Sequence, residues 1–190
     1  MDNKERFAAI FKSVITRPGA DNLFAYLENS DFFTAPASTR FHCDYPGGLL
    51  EHSLNVYDCL KSLVDCSVVR DAGLEYSEET LAVVSLLHDL CKVGVYKEST
   101  RNVKKDGKWE TVPYYEFDDQ IPFGHGEKSQ YIAASFIKLS REESFAIRYH
   151  MGYSEEFCDR RNVGKAFEMF PLALLLHQAD QMAASLVEGK

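Results

Sequence analysis

A histidine and an aspartate stand side by side in an otherwise apolar stretch, SLLHDLCKVG, at His88 and Asp89. A carboxylate buried among leucines is costly unless it is paired with a cation, neutralised or bound to a metal. Adjacent helical side chains point about 100° apart, so these two can converge only on an atom above the ridge between them, as a metal ion would lie. Lys92, one turn beyond His88, is placed to contact a phosphate oxygen or to pair with a carboxylate.

Further histidines and an aspartate form an ordered series with this pair. They are His52, His125, His150 and Asp180. Neighbouring members of the series lie 25 to 36 residues apart, so each can sit on or beside a different helix and point toward one centre. One such histidine is more often a hydrogen-bonded core residue. A whole series of buried polar groups needs many separate partners, however, whereas a shared metal centre satisfies all of them.

The series contains enough ligands for two metal ions. The first ion would be held by His52, His88, Asp89 and Asp180, and the second by Asp89, His125 and His150. Asp89 would bridge the pair, since the ions of two-metal hydrolytic sites lie about 3.5–4 Å apart. Nitrogen and oxygen ligands suit iron, manganese, cobalt, nickel or zinc and do not select among them. The sequence therefore predicts one or two divalent transition-metal ions.

Helical periodicity and capping signals predict an all-α chain with a single β interruption. Two predicted helices cover residues 3–15 and 21–29. Four more begin at Gly48, at the Ser77 cap, after Gly124 and at the Ser140 capping box. A last helix covers roughly 168–187. The dipeptide Asp106-Gly107, flanked by β-favouring residues, predicts a hairpin over about residues 99–117. We interpret residues 1–190 as one domain, with N-terminal helices over 1–30 and the ligand-bearing core over 31–188.

Composition restricts the class of protein further. A chain of 190 residues with 45% hydrophobic content can bury one real core, and neither a membrane-spanning run nor a signal peptide is evident. We therefore expect a soluble, cytoplasmic protein without a membrane partner. The five cysteines include no CxxC pair, which argues against a disulfide framework and a thiolate zinc site and favours reduced, core-filling residues.

The charge distribution along the chain is uneven, and it indicates which kind of substrate the protein could bind. The net charge of −8 disfavours broad adhesion to nucleic acid or to an anionic membrane. Residues 92–108 nevertheless carry +4, against −12 for the remainder. We expect Lys92, Arg101 and Lys104 to contact a phosphorylated substrate, although a solvated hairpin explains the charges equally well. His42 either reaches the mouth of the site or makes a loop hydrogen bond. Four aromatic residues that could stack a base, or simply pack the hairpin, are Tyr96, Trp109, Tyr114 and Tyr115.

The ordered histidines and aspartates resemble the HD-domain superfamily of metal-dependent phosphohydrolases, an α-helical fold named for its adjacent His-Asp. The resemblance covers about residues 30–185. The segment APASTRFHCDYPGGLLEHSLNV also resembles the HD domain of bacterial 3′→5′ exoribonucleases that carry a preceding OB-fold. Two differences stand out: Cys91 occupies the glycine position of the HDIGK motif, and only about 30 residues precede the matching region, so we expect no OB-fold.

The resemblance implies an HD-domain helical bundle with one inserted hairpin, the same ligand sets as above, and Lys92 as the phosphate-contacting lysine. It implies an enzyme in which Asp89 and Lys92 serve catalysis, and in which metal-activated hydroxide cleaves a phosphoester. The expected substrate is a nucleotide or short single-stranded oligonucleotide. Two alternatives remain open, an HD-fold diiron oxygenase acting on a small polyol or phosphonate, and a non-catalytic regulatory module that binds metal and nucleotide.

Overall fold

The computed structural model describes residues 1–39, 42–154 and 159–189. Its α-helices are α1 (Asn3–Val14), α2 (Ala20–Asn29), α3 (Gly48–Val64), α4 (Ser67–Asp71), α5 (Glu78–Leu87), α6 (His125–Phe136), α7 (Arg141–Tyr149), α8 (Arg160–Met169) and α9 (Pro171–Met182). Short 3₁₀ turns cover Leu90–Lys92 and Gly152–Ser154, and a π-helical turn covers Ala183–Val187. The antiparallel strands β1 (Tyr96–Lys105) and β2 (Lys108–Phe117) stand between α5 and α6. The prediction of a mostly helical chain with one inserted hairpin is confirmed.

The hairpin turns where the sequence predicted. Asp106 and Gly107 have φ angles of 50° and 81°, the left-handed pair that a two-residue type I′ turn requires and that Gly107 adopts without a steric penalty. The strands begin at Tyr96, three residues before the predicted start. The turn end of the hairpin is solvent-exposed, and Trp109 beside it is 71% exposed.

Two hydrophobic clusters hold the helices together. The first packs α1, α2 and α6 against α3 and α5, through residues such as Phe7, Leu54 and Leu86. The second packs α7 and α9 against other side chains of the same two helices, α3 and α5, through residues such as Val84 and Leu176. Because α3 and α5 contribute to both clusters, polar residues on them are enclosed from both sides. This arrangement buries the predicted ligands of α3 and those that follow α5.

One local prediction was wrong. Helix α5 ends at Leu87, with Asp89 already outside helical geometry at φ −107° and ψ 22°, so the His88-Asp89 pair follows the helix instead of continuing it. Lys92 reaches Asp89 through the 3₁₀ turn. The last predicted helix, roughly 168–187, corresponds to α9 and the π-helical turn, and Pro171 stands at the first position of α9, where a proline is tolerated. Helices α4 and α8 were not predicted.

Four of the cysteines lie in the described residues, and these four are free thiols: Cys43, Cys59, Cys66 and Cys91. Three of them are buried, as the core-filling interpretation predicted, and Cys66 is partly buried. Cys158 lies outside the described residues. No helix in the described part of the chain is long and apolar enough to cross a bilayer.

A buried ion pair fastens the segment between α1 and α2 to α7. The Arg17 guanidinium donates to both carboxylate oxygens of Glu143, at 2.8 and 2.9 Å, and the Glu143 side chain is only 2% exposed. Glu143 also completes the capping box of α7 by accepting from the backbone N–H of Ser140. Burial raises the pKa of Glu143, but Arg17 and the Ser140 N–H lower it more, so its net pKa is depressed.

Removing the arginine should therefore destabilise the fold strongly. We expect Arg17→Met to cost about 3–5 kcal/mol of unfolding free energy, because it leaves a buried carboxylate without its partner. Urea unfolding followed by circular dichroism measures this loss. Arg6→Met is the matched control, because the Arg6–Asp58 pair is 38% and 51% exposed and exposed pairs contribute about 1 kcal/mol or less.

The same pair gives a pH dependence. Because the folded pKa of Glu143 is depressed, its contribution is present above the unfolded glutamate pKa of about 4.3 and is lost as the pH falls through the folded value. Without Arg17 the Glu143 carboxyl protonates more readily in the folded state. The difference in stability between wild type and Arg17→Met should then narrow on acidification. A difference that stays constant between neutral and acid pH would contradict this account.

Candidate metal centre

All six predicted ligands lie together in one interior region. They come from α3 (His52), the segment after α5 (His88 and Asp89), the first residue of α6 (His125), the end of α7 (His150) and α9 (Asp180). Five of the six are buried, with His88 and His150 completely inaccessible to solvent, while the His125 side chain is 28% exposed. These buried histidine and aspartate clusters could hold a metal ion.

The first group of ligands surrounds a point between His52 and His88. Their Nε2 atoms are 3.2 Å apart, and Asp180 Oδ1 lies 3.2 Å from the Nε2 of His52. Asp89 Oδ2 is 3.4 Å from the Nε2 of His88. Ligand atoms bound at about 2.1 Å to one ion are separated by roughly 3.0–3.4 Å in octahedral or tetrahedral geometry. The spacing of His52, His88 and Asp180 therefore fits a single transition-metal ion, with Asp89 Oδ2 beside the same two rings.

Hydrogen bonds on the far side of each ring fix which nitrogen faces the centre. The Nδ1–H of His88 donates to the Ser85 carbonyl at 2.7 Å, and that of His150 donates to the Ile147 carbonyl at 2.7 Å. A carbonyl only accepts, so these Nδ1 atoms carry the proton and the Nε2 lone pairs point inward. Metal-binding histidines are almost always oriented in this way.

Glu188 orients the ring of His52, as the backbone carbonyls orient the rings of His88 and His150. Its carboxylate accepts from the Nδ1–H of His52 at 3.0 Å and from the Asn55 amide at 2.9 Å. The Nε2 lone pairs of His52 and His88 then face each other and repel, unless a cation or a proton lies between them. Burial lowers the pKa of His52, but Asp180 and Glu188 raise it to about 9, so the surrounding carboxylates attract positive charge to this point.

A second group of ligands lies on the other side of Asp89. The Oδ1 of Asp89 is 2.8 Å from His125 Nε2 and 3.6 Å from His150 Nε2. The Nε2 of His150 is buried without a hydrogen-bond partner, an arrangement that is costly for a polar atom in the interior and that a bound ion would relieve. Asp89 thus directs one oxygen at each group, as a bridging carboxylate would.

A close approach of two helices brings these histidines together. A Cβ atom on Gly126 would lie 2.1 Å from the Arg148 carbonyl oxygen, so only glycine lets the start of α6 approach the end of α7 this closely. His125 immediately precedes Gly126, and its ring centroid is 5.1 Å from that of His150. His177 supports the same region, because its Nδ1–H donates to the His150 carbonyl at 2.7 Å.

Lys92 and three of the proposed ligands, Asp89, His125 and Asp180, line a cavity of about 360 Å³. Its wall also includes His42 and Tyr96. The Lys92 Nζ lies 2.6 Å from Asp89 Oδ2, so it pairs with a carboxylate, one of the two roles predicted for it. Burial lowers the pKa of Lys92, but the attraction of Asp89 outweighs burial and raises it. The lysine therefore remains a cation at the cavity wall.

The remaining predicted substrate contacts lie at increasing distances from the ligands. The ring centroid of His42 is 4.7 Å from that of His52, and its Nε2 is buried without a hydrogen-bond partner. Arg101 lines a separate cavity of about 460 Å³ together with Tyr45 and Tyr114, and its guanidinium lies 5.4 Å from the Tyr114 ring centroid.

The expected contact of Lys104 with substrate at the metals is not supported. Lys104 pairs with Trp109 one step before the hairpin turn. It lies eight residues along β1 from Tyr96, or roughly 27 Å at the rise of an extended strand. That distance exceeds the Debye length of about 8 Å at physiological salt. The positive charge of the hairpin is concentrated at its tip and not beside the ligands.

Sequence reasoning missed Glu188. It is separated from His52 by 136 residues, and a lone glutamate after Leu186 and Val187 carries no local signal of a contact with α3. Sequence reasoning also treated Cys91 only as a substitution at the glycine position of the HDIGK motif. Its Sγ lies 3.4 Å from both ring nitrogens of His125.

Glu188 provides a prediction about metal affinity. We expect Glu188→Ala to weaken metal binding about 10–100-fold, because such carboxylates orient the ligand ring and increase its basicity. Glu188→Gln keeps an acceptor for the Nδ1–H but removes the charge, so it should lose less. Competition with a chelator of known affinity measures both, and Glu168→Ala, a change at an exposed position, is the control. Equal affinities for wild type and Glu188→Ala would contradict this role.

Comparison with known proteins found no matching family model, no similar curated protein and no similar solved structure.

Proposed function

We propose that this protein is a metal-dependent phosphohydrolase of the HD-domain superfamily, which cleaves a phosphoester of a nucleotide or short oligonucleotide. The observation that carries the proposal is the position of Asp89, whose two oxygens face two separate groups of inward-pointing nitrogen and oxygen atoms. A carboxylate shared between two such groups is typical of centres that hold a pair of ions for hydrolysis.

The donor set suits this chemistry. Bound divalent ions would lower the pKa of a water molecule from 15.7 toward about 7 and offset charge that develops on a phosphoryl group. The residues His52, His88, Asp89 and Asp180 would hold the first ion, and Asp89, His125 and His150 the second. Asp89 can direct one oxygen to each group without rearrangement, because its carboxylate already lies between them.

Lys92 supplies the contact to substrate in this proposal. Its ammonium lies against Asp89 Oδ2 and lines the same cavity as the ligands. When metal charge compensates Asp89 in its place, the ammonium is free to donate to a phosphoryl oxygen. His42, which also lines the cavity, is the second polar residue beside the proposed substrate position.

The surface next to the cavity supports a nucleotide as the substrate class. Thr39 and Phe117 line both the metal-facing cavity and a smaller one, and that smaller cavity shares Arg101 and Tyr114 with the 460 Å³ cavity. This series of aromatic side chains and a guanidinium is suited to stack a base whose phosphate lies at the metals. The net charge of −8 disfavours long polyanions, so we propose a small substrate.

A hydrolysis panel tests the proposal. Mononucleotides, cyclic and linear dinucleotides and short RNA would be incubated with the protein and with manganese, cobalt, nickel or zinc in the absence of oxygen. We expect metal-dependent release of a phosphate-bearing product, detected by mass spectrometry. Turnover without oxygen excludes the oxygenase alternative. Stoichiometric metal binding with no turnover of any substrate would overturn the proposal and favour a binding module.

A further inference from the structure

We propose that the Cys91 thiolate is a protein ligand of the second metal ion, which makes that half of the centre a mixed nitrogen, oxygen and sulfur site. The inference rests on the proposed dinuclear centre but not on what that centre hydrolyses. Cys91 is 6% exposed and lies two residues after Asp89. One ligand atom from each of Asp89, Cys91 and His125 lies within 4.8 Å of the others.

The separation of sulfur and nitrogen fits shared coordination. The Sγ of Cys91 is 3.4 Å from the Nε2 of His125, the nitrogen that also contacts Asp89 Oδ1. With metal–sulfur and metal–nitrogen bonds of about 2.3 and 2.1 Å, two ligands of one tetrahedral ion lie roughly 3.6 Å apart. Because Sγ is also 3.4 Å from Nδ1, it lies beside the ring and not on the line of the Nε2 lone pair. A rotation of the thiol or of the imidazole would bring one ion within bonding distance of both atoms.

The backbone of Cys91 is fixed in a way that maintains this position. Its N–H donates to the Ser129 hydroxyl at 3.0 Å, one turn after His125 on α6. The 3₁₀ turn and α6 thus hold the thiol and the imidazole in register. The Nε2 of His150, buried without a partner and 3.6 Å from the Asp89 Oδ1 that also contacts His125, is a second observation that points to a cation near this oxygen.

Coordination by sulfur involves no oxidation. The Sγ–H bond breaks, its proton passes to solvent, and the thiolate electron pair forms the metal–sulfur bond. A soft donor changes the selectivity of the site, because thiolates favour zinc, cobalt, cadmium and iron, whereas hard oxygen ligands suit manganese and magnesium. The nitrogen and oxygen set expected from the sequence makes no such distinction.

Cobalt spectroscopy tests the inference. The wild-type protein loaded with two equivalents of Co²⁺ should show an intense thiolate-to-cobalt charge-transfer band in the near ultraviolet. Cys91→Ser and Cys91→Ala should lose this band and retain the visible ligand-field bands of the cobalt that remains bound. Cys43→Ser, a change at another buried thiol, should keep it. The ratio of cadmium to manganese affinity should fall by on the order of tenfold or more in both Cys91 variants, since even an outer partner of a ligand contributes about 10–100-fold.

The outcomes separate this inference from the proposed function. Cobalt bound by the wild type without a charge-transfer band overturns the Cys91 assignment and leaves the phosphohydrolase proposal standing. A band that disappears in the Cys91 variants, together with no phosphoester hydrolysis by the wild type, supports the ligand and overturns the hydrolase.

A measurement on the wild type covers the case in which the Cys91 variants do not fold. Zinc-edge X-ray absorption of the unaltered protein should then show one sulfur at about 2.3 Å among the lighter ligands of one zinc. Its absence overturns the inference.

Discussion

Asp89→Asn should lose both metal ions and reduce phosphoester hydrolysis by on the order of 10³-fold or more. The size of this loss in rate follows from the several kcal/mol by which bound metal stabilises the transition state, since about 1.4 kcal/mol corresponds to each factor of ten in rate. Asp89 is the residue whose carboxylate faces both groups of ligands, and the amide keeps its volume but not its charge. His125→Ala differs, because it should spare the first ion, whose four proposed ligands remain. Elemental analysis after chelator-free purification measures both variants.

One side effect of Asp89→Asn needs its own control. The substitution leaves the Lys92 ammonium, which is 13% exposed, without its carboxylate partner. The double variant Asp89→Asn/Lys92→Met removes that unpaired charge and should also lack metal while keeping the helical circular dichroism signal. A folded Asp89→Asn protein that retains two ions would show that Asp89 does not bridge them.

Lys92→Met should lower kcat about 10²–10³-fold with KM and metal content nearly unchanged. This magnitude is typical when one donor that meets developing charge in the transition state is removed. Lys92 can have this role because its ammonium lies beside Asp89 on the cavity wall. Steady-state kinetics at saturating metal separates kcat from KM.

Lys104→Met is the comparison for Lys92→Met. It removes an equal charge at the far end of the hairpin, where we expect no effect on kcat. If Lys92→Met instead raises KM alone, the lysine binds substrate and transition state equally and is not a catalytic residue.

The ligand series could be predicted from sequence because its residue types are rare on apolar faces. A histidine such as His150 is conspicuous among core residues, and its spacing from His125 suggested a separate helix. The hairpin was predictable for a local reason, since Asp106-Gly107 supplies the left-handed backbone that the turn needs. These signals need only the neighbouring residues.

The features that were missed have different physical causes. Glu188 gains its role only when the C-terminal turn packs beside α3, and nothing in its own segment distinguishes it from other surface acids. The contact expected of Lys104 rested on a count of charges along the sequence. Such a count does not show how far an extended strand carries a charge from the first residue of that strand. The end of α5 at Leu87 was missed because the apolar pattern continues through Leu90 after the helical hydrogen bonding has stopped.

The carbonyl contacts of His88 and His150 have a consequence for how ions enter the site. Each ring is held by the carbonyl of the residue three positions earlier, so both rings are oriented by their own helices. Immobilising a mobile side chain on binding costs about 0.5–1.5 kcal/mol. In the proposed centre, these hydrogen bonds provide that ordering without an ion. A metal ion that bound there would meet a preorganised geometry that it does not have to create.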